Sequence, residues 1–238
     1  MNGHGKLYLI PVPIIEEQGL KDIPPYNISL VNGLVKFIAE DARNARRFLK
    51  QCEYPDITKA EIVLLNEHSK EADISGLLKD LLDGHSVGLM SDAGCPGIAD
   101  PGADVIYKAH QKHIEVIPLT GPSSIVLSIM ASGFNGQNFA FVGYLPIDKQ
   151  LKIKKIRELE QISGKQNQAQ FFIETPYRNE QMMEVLLEAL SPNTQVFVGI
   201  DIHSPKQLLV SKTVHEWKSS LLPYMHKVPT VFGIYKRH

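Results

Sequence analysis

The chain of 238 residues is long enough for one large domain or two small ones, and either can bury a proper core. A composition that is 43% hydrophobic and 21% charged is ordinary for a globular protein, and a formal net charge of −1 excludes a whole-molecule basic field. Any nucleic-acid binding therefore has to come from a local patch. The two cysteines, Cys52 and Cys95, are far apart and form no CxxC pair, which argues against a zinc site or a disulfide framework and fits a reducing interior.

The N-terminus, Met1-Asn2-Gly3-His4-Gly5-Lys6, runs straight into an apolar strand pattern without the features of a secretory leader. No apolar run reaches membrane-spanning length, so a cytoplasmic location with no membrane is expected. Residues 6–14 predict a first strand, ended by Pro11 and Pro13. Residues 16–25 are polar and proline-closed, which predicts a loop near the mouth of a site. Residues 35–39 read as a second strand that leads into the stretch from Glu40 to Lys50, where acids early and bases late suit a helix dipole. A third strand is expected at residues 62–65, followed by Asn66-Glu67-His68-Ser69. The helix after it covers residues 71–82, with Ile74, Leu77, Leu78, Leu81 and Leu82 on one face.

Residues 86–90 are a short apolar run that reads as a buried strand. After it comes Ser91-Asp92-Ala93-Gly94-Cys95-Pro96-Gly97-Ile98-Ala99-Asp100-Pro101-Gly102, in which three glycines let backbone approach a ligand and two prolines stiffen the loop. Asp100 and Pro101 fit the cap and first turn of the next helix. A similar unit follows, with a strand at residues 114–118 and Thr120-Gly121-Pro122-Ser123-Ser124 as its loop and helix start. In open α/β sheets ligands bind outside the carboxyl ends of the strands, so two neighbouring units of this kind predict adjoining walls of one crevice. The plain alternative is that glycine and proline only punctuate short connections.

Alternation of strands and helices to this point implies a mainly parallel, helix-covered sheet. Further on, residues 134–138 are turn-rich, residues 139–144 form a strand and residues 149–161 a charged helix. Residues 171–173 are another strand, ending in Glu174-Thr175-Pro176-Tyr177-Arg178 and a helix through Leu190. Residues 195–200 and 207–214 predict an antiparallel pair, because too little chain separates them for a crossover, and residues 230–235 are the last strand. The expected organisation is an N-terminal α/β domain over 1–117 and a C-terminal α/β domain with a mixed sheet over 118–238.

No GxGxxG follows a strand and no GxxxxGK[ST] occurs, which speaks against a nicotinamide dehydrogenase or a P-loop enzyme. No ligand set suggests a metal, and His68 and His203 read as surface or capping histidines. Glu40-Asp41-Ala42-Arg43 stands at the carboxyl end of a strand, where a carboxylate could orient or deprotonate a hydroxyl and the arginine could grip a phosphate. The plain reading is a charged first helical turn. Arg43, Arg46, Arg47 and Lys50 recur at helical spacing, as a nucleic-acid-binding face or simply a solvated one, and Lys149, Lys152, Lys154, Lys155 and Arg157 carry the same ambiguity.

The segment from Ser91 to Gly102 closely resembles the SDAGTPxISDPG segment of tetrapyrrole-methylase-fold enzymes, specifically the branch that 2′-O-methylates a cytidine ribose in small-subunit (16S) ribosomal RNA. Residues 7–14, Ala39-Glu40-Asp41-Ala42-Arg43, Asn66-Glu67-His68-Ser69, residues 118–124 and Glu174-Thr175-Pro176-Tyr177-Arg178 match that branch in the same order. The resemblance implies a homodimer of two-domain subunits with S-adenosylmethionine in the cleft between domains. Carried onto matching positions, Asp92, Ala93, Gly94, Cys95 and Pro96 would line the methionine and ribose side. Ser123 and Ser124 would meet the nucleoside, with Glu174, Pro229 and Thr230 closing from the second domain, and Pro13 and Gly121 would also belong to the cofactor site. Glu40 or Asp41 would be the orienting or proton-accepting carboxylate, with Arg43 near phosphate, and ribosomal RNA or the small ribosomal subunit the partner.

Four features depart from the branch. Residues 13–23 lack its glycine–asparagine pair, Ala42 replaces a threonine, Cys95 replaces another, and residues 236–238 follow the last strand without the extension many relatives carry. Two alternatives therefore stand beside ribosomal RNA methylation. One keeps the chemistry with a tetrapyrrole-like small molecule or a protein side chain as acceptor. The other is a non-catalytic module that binds S-adenosylmethionine.

Overall fold

A computed structural model describes residues 3–65 and 71–237; the Asn66-Glu67-His68-Ser69 segment, and His68 with it, lies outside the described residues. The chain divides into two compact units, Met1–Ser123 and Ser124–His238. In the first, five strands are β1 (Leu7–Ile10), β2 (Lys36–Ala39), β3 (Glu61–Leu64), β4 (Val87–Met90) and β5 (Val116–Pro118). They form one parallel sheet in the order β3-β2-β4-β1-β5. Parallel strands need crossovers, and the helices supply them: α1 (Pro25–Asn32), α2 (Ala42–Gln51), α3 (Glu71–Leu82) and α4 (Gly102–Gln111). Two apolar clusters cover the sheet, one around Leu7, Ile38, Leu81 and Leu89, the other around Ile10, Phe37, Phe48 and Met90.

Three details differ from the sequence reading. Residues 16–25 are not loop throughout, since α1 starts at Pro25, a proline at the first helical position where its missing N–H costs nothing. The Pro24-Pro25 pair that reads as a stop is a helix start. On α3, Leu78 and Leu81 are buried but Leu82 is 39% exposed, because the apolar stripe ends before the last residue of the helix. Helix α4 also begins one residue later than expected, at Gly102, with Asp100 capping it from outside: its carboxylate accepts from the N–H groups of Gly97 at 2.9 Å and Gly102 at 2.8 Å.

The second unit holds α5 (Ser124–Ser132), β6 (Phe139–Tyr144), α6 (Lys149–Gln166), β7 (Ala169–Ile173), α7 (Asn179–Ala189), β8 (Gln195–Ile200), β9 (Leu208–Thr213), α8 (Val214–Lys218) and β10 (Thr230–Tyr235). Its sheet runs β6-β7-β10-β8-β9, with β6 and β7 parallel and the remaining pairs antiparallel, which is the mixed sheet expected. Short helix α8 was not foreseen; Thr213 and Glu216 close it with a reciprocal capping box. The core is large and aromatic, with Phe172 stacked on Phe232 at 5.9 Å and Trp217 donating to the Val196 carbonyl at 2.9 Å.

Among the described residues no helix is long and apolar enough to cross a membrane, and no group of three His, Cys, Asp or Glu could hold a metal ion. Replacing Phe172, fully buried in the larger core, with alanine should lower stability by about 3–5 kcal/mol. The check is a chemical-denaturation midpoint that falls while the dependence on denaturant stays unchanged.

Candidate functional site

The first unit gathers its loops at the carboxyl edge of the sheet. The sequence reading made the β4 and β5 loops neighbours, but β1 lies between the two strands. The end of β1 is therefore the floor between the two walls. Immediately after β1, Val12 and Gly94 exchange backbone hydrogen bonds: the Val12 N–H donates to the Gly94 carbonyl at 2.9 Å and the Gly94 N–H to the Val12 carbonyl at 3.2 Å. Gly94 does this at φ +73°, a conformation in which a side chain would be strained. On the other side of β1, a methyl group at Gly121 would stand 2.2 Å from Cβ of Pro11, so only glycine lets the β5 loop lie on the β1 end.

Side chains then tie the loops to one another. The Cys95 thiol donates to the Pro122 carbonyl at 3.3 Å, and the Asn27 amide, 2% exposed on α1, donates to the Thr120 carbonyl at 2.8 Å. Burial pushes the Cys95 thiol above its ordinary value and the Cys52 thiol up to about 12, so neither is poised as a nucleophile. Within the β4 loop, the Ser91 hydroxyl donates to the Ala93 carbonyl at 2.9 Å. Asn27 was absent from the sequence reading because its helix was, and nothing short of the Pro25 N-terminal signal could have placed it there.

Expected residues Pro13, Asp92, Ala93, Gly94, Cys95, Pro96, Gly121 and Ser123 all belong to this one loop set in the first unit. Glu40 joins them: its carboxylate accepts from the Asp92 N–H at 3.2 Å. The carboxylate of Asp92 itself is exposed and has no partner among the described residues. Burial pushes the Glu40 carboxyl above its usual range, opposed by the Asp92 N–H and reinforced by the charges of Asp100 and Asp92. Asp41, the next residue, behaves oppositely. It is the N-cap of α2 and accepts from the N–H groups of Asn44 at 2.9 Å and Arg43 at 2.8 Å, and the Asn44 N–H above all holds its carboxyl below the ordinary value. Arg43, Arg46 and Lys50 are exposed on α2, while Arg47 pairs with Glu16 at 2.9 Å.

The remaining expected residues lie in the second unit. Ser124 opens α5, and Glu174 and Pro229-Thr230 stand side by side, because Val231 pairs with Ile173 across the β10–β7 ladder. Glu174 is occupied locally. Its carboxylate, 1% exposed, accepts from Lys152 at 3.1 Å, from Arg178 at 2.7 Å and from the Thr175 N–H at 2.7 Å. Lys152 is equally buried, so it drops out of the basic face read along α6. Burial alone would raise the Glu174 carboxyl, but the Arg178 guanidinium, the Thr175 N–H and the Lys152 ammonium outweigh it and hold it below its usual value.

The fold places the chain first. A solved structure, "Crystal structure of the methyltransferase CobJ", matches 97% of this chain and 94% of its own with a TM-score of 0.64 at 15% identity, and this likeness shows the tetrapyrrole-methylase-like fold. No protein-family model matches the chain. Ribosomal RNA small subunit methyltransferase I of Vibrio cholerae serotype O1 is 28% identical over 201 residues, 84% of this chain, and the protein of the same name from Bacillus subtilis strain 168 is 33% identical over 212 residues, 89% of this chain. The chain spans 66% of the Vibrio relative, just under two thirds, and 68% of the Bacillus one. It belongs to the ribosomal RNA small subunit methyltransferase I family.

Because the folded pKa of Glu174 lies below its unfolded value, its ion pairs stabilise the unit above the ordinary carboxylate range, and that stability is lost as pH falls through the folded value. Lys152→Met should cost about 3 kcal/mol at neutral pH by breaking a buried pair. Glu174→Gln should flatten the acid side of the stability profile, measured by urea unfolding at a series of pH values.

Proposed function

We propose that the protein is an S-adenosylmethionine-dependent methyltransferase that 2′-O-methylates a ribose in small-subunit ribosomal RNA. The observation that carries this reading is the loop set at the ends of β1, β4 and β5, shaped by backbone and carrying an unpartnered Asp92 carboxylate beside the half-buried Glu40. Such a cradle fits a nucleoside with a cationic sulfonium: an aspartate and backbone carbonyls suit the positive charge, and glycines admit the ligand closely. Asp92, Ala93, Gly94, Cys95, Pro96, Gly121 and Ser123, with Pro13 on the floor, would hold the cofactor. The family resemblance adds Ser124, Glu174, Pro229 and Thr230, and implies a homodimer.

When bound, S-adenosylmethionine supplies a methyl group already activated for transfer, so the chain's own task is alignment and proton handling. A ribose hydroxyl is a weak nucleophile. Glu40, with its carboxyl raised towards the operating pH, is the group that orients this hydroxyl and accepts its proton. Asp41 caps α2 and so fixes where Glu40 stands. The exposed bases Arg43, Arg46 and Lys50 of α2 would meet RNA phosphates, a local patch on a chain of near-zero net charge. The names of the relatives that cover most of the chain support ribosomal RNA over a tetrapyrrole as acceptor.

Calorimetry with S-adenosylmethionine and transfer of its labelled methyl group to small ribosomal subunits test the reading together. Asp92→Ala should weaken cofactor binding by an order of magnitude or more. Glu40→Gln should leave that affinity unchanged but lower turnover about 100- to 10,000-fold, and should abolish an activity limb that rises with pH above the ordinary glutamate range. Asp41→Asn, which keeps a good cap, should cost far less than Glu40→Gln. A well-folded protein that binds no S-adenosylmethionine would overturn the proposal.

A further inference from the structure

Beside the β4 loop, on the side facing α2, the first unit has a cavity of about 210 Å3 that adjoins the proposed cofactor cradle and shares Pro13 and Asp92 with it. Its floor is apolar, formed by Val12, Ala45, Phe48 and Met90, all buried. Its rim is polar, with Asn44 and Gln51 from α2 and Ser91 and Asp92 from the β4 loop. The Glu16–Arg47 ion pair at 2.9 Å closes its outer edge, and the guanidinium of Arg47 also donates to the Asn44 amide oxygen. The Asn44 oxygen is thereby taken, and neither its NH2 group nor the Gln51 amide has a partner among the described residues.

We infer that this cavity receives the unstacked base of the nucleotide whose ribose is methylated, with Asn44 and Gln51 reading the base edge. The inference rests on the methyl-transfer reading above and goes beyond it in naming the subsite. Size is the first argument. The cavity is smaller than the roughly 300–1,000 Å3 of pockets that enclose a whole drug-sized ligand, so it fits a single heterocycle and not a tetrapyrrole macrocycle or an entire cofactor. Chemistry is the second. An apolar floor takes the faces of a ring, and amide groups on the rim can satisfy the carbonyl and ring-nitrogen acceptors along its edge. Position is the third. Asp92 is both a wall of the cavity and the residue whose N–H binds Glu40, so a base seated there brings its own ribose to the proton acceptor. The exposed bases of the same helix stand where the flanking phosphates would run. Enzymes that modify a nucleotide commonly draw it out of its stack into such a pocket, and the polar rim then supplies selectivity.

The test uses the full chain, labelled S-adenosylmethionine and purified small ribosomal subunits lacking the modification. Asn44→Ala and Gln51→Leu should each lower kcat/KM for subunits by roughly 10- to 100-fold, the effect of an unmet buried acceptor on the base, while the calorimetric Kd for S-adenosylmethionine stays within about 2-fold. A merely structural role would move thermal stability and cofactor affinity together with transfer. Wild-type kcat/KM in both variants overturns the base pocket, as does a fall in cofactor affinity that matches the fall in transfer. Wild-type protein that binds S-adenosylmethionine but transfers nothing to subunits overturns the ribosomal acceptor and the pocket with it, an outcome distinct from the other two because no variant is needed to see it.

Discussion

The backbone pair between Val12 and Gly94 is the contact on which the first unit's site depends. It ties the end of β1 to the β4 loop through main-chain atoms, leaving the side chains of Asp92 and Ala93 exposed. The same strand end is pressed from the other side by Gly121, which touches Pro11 where no side chain would fit. Because β1 lies between β4 and β5, one strand end fixes both walls. The small residues of both loops follow from that geometry: two backbones have to approach a third one closely, and only glycine and short side chains allow it.

Electrostatics divides the work between two adjacent residues. Glu40 and Asp41 differ by one methylene and one position, yet burial raises one carboxyl and a helix N-terminus lowers the other. Opposite environments of this kind set two adjacent carboxyls on opposite sides of the ordinary range within a single turn of chain. Glu174 in the second unit belongs with Asp41 in this respect. Its carboxylate is taken up by three donors, two of which, the Thr175 N–H and Arg178, belong to the Thr175–Arg178 turn that it holds.

Much of the fold could be read from the chain. The boundaries of α3, β6, β8 and β10 follow from apolar periodicity, and the short connection between β8 and β9 leaves antiparallel pairing as the only geometry. What could not be read are features in which a local signal has two meanings. Pro24-Pro25 signals a stop as well as a start, so α1 went unseen together with its buried Asn27. Lys152 stands among exposed lysines in a charged helix, and nothing local reveals a buried glutamate twenty-two residues away as its partner.

The sequence by itself determined the strand–loop–helix units, the parallel and mixed character of the two sheets, and the family, because periodicity, turn residues and the segment from Ser91 to Gly102 are local properties. Tertiary structure alone decided that β1 separates β4 from β5, that Glu40 and not Asp41 carries the raised carboxyl, and that Asn44 and Gln51 face a cavity beside Asp92. These depend on strand order, burial and contacts between segments some forty to ninety residues apart. Such contacts leave no periodic trace in the chain, since each is set by packing against a partner that only the folded sheet brings near.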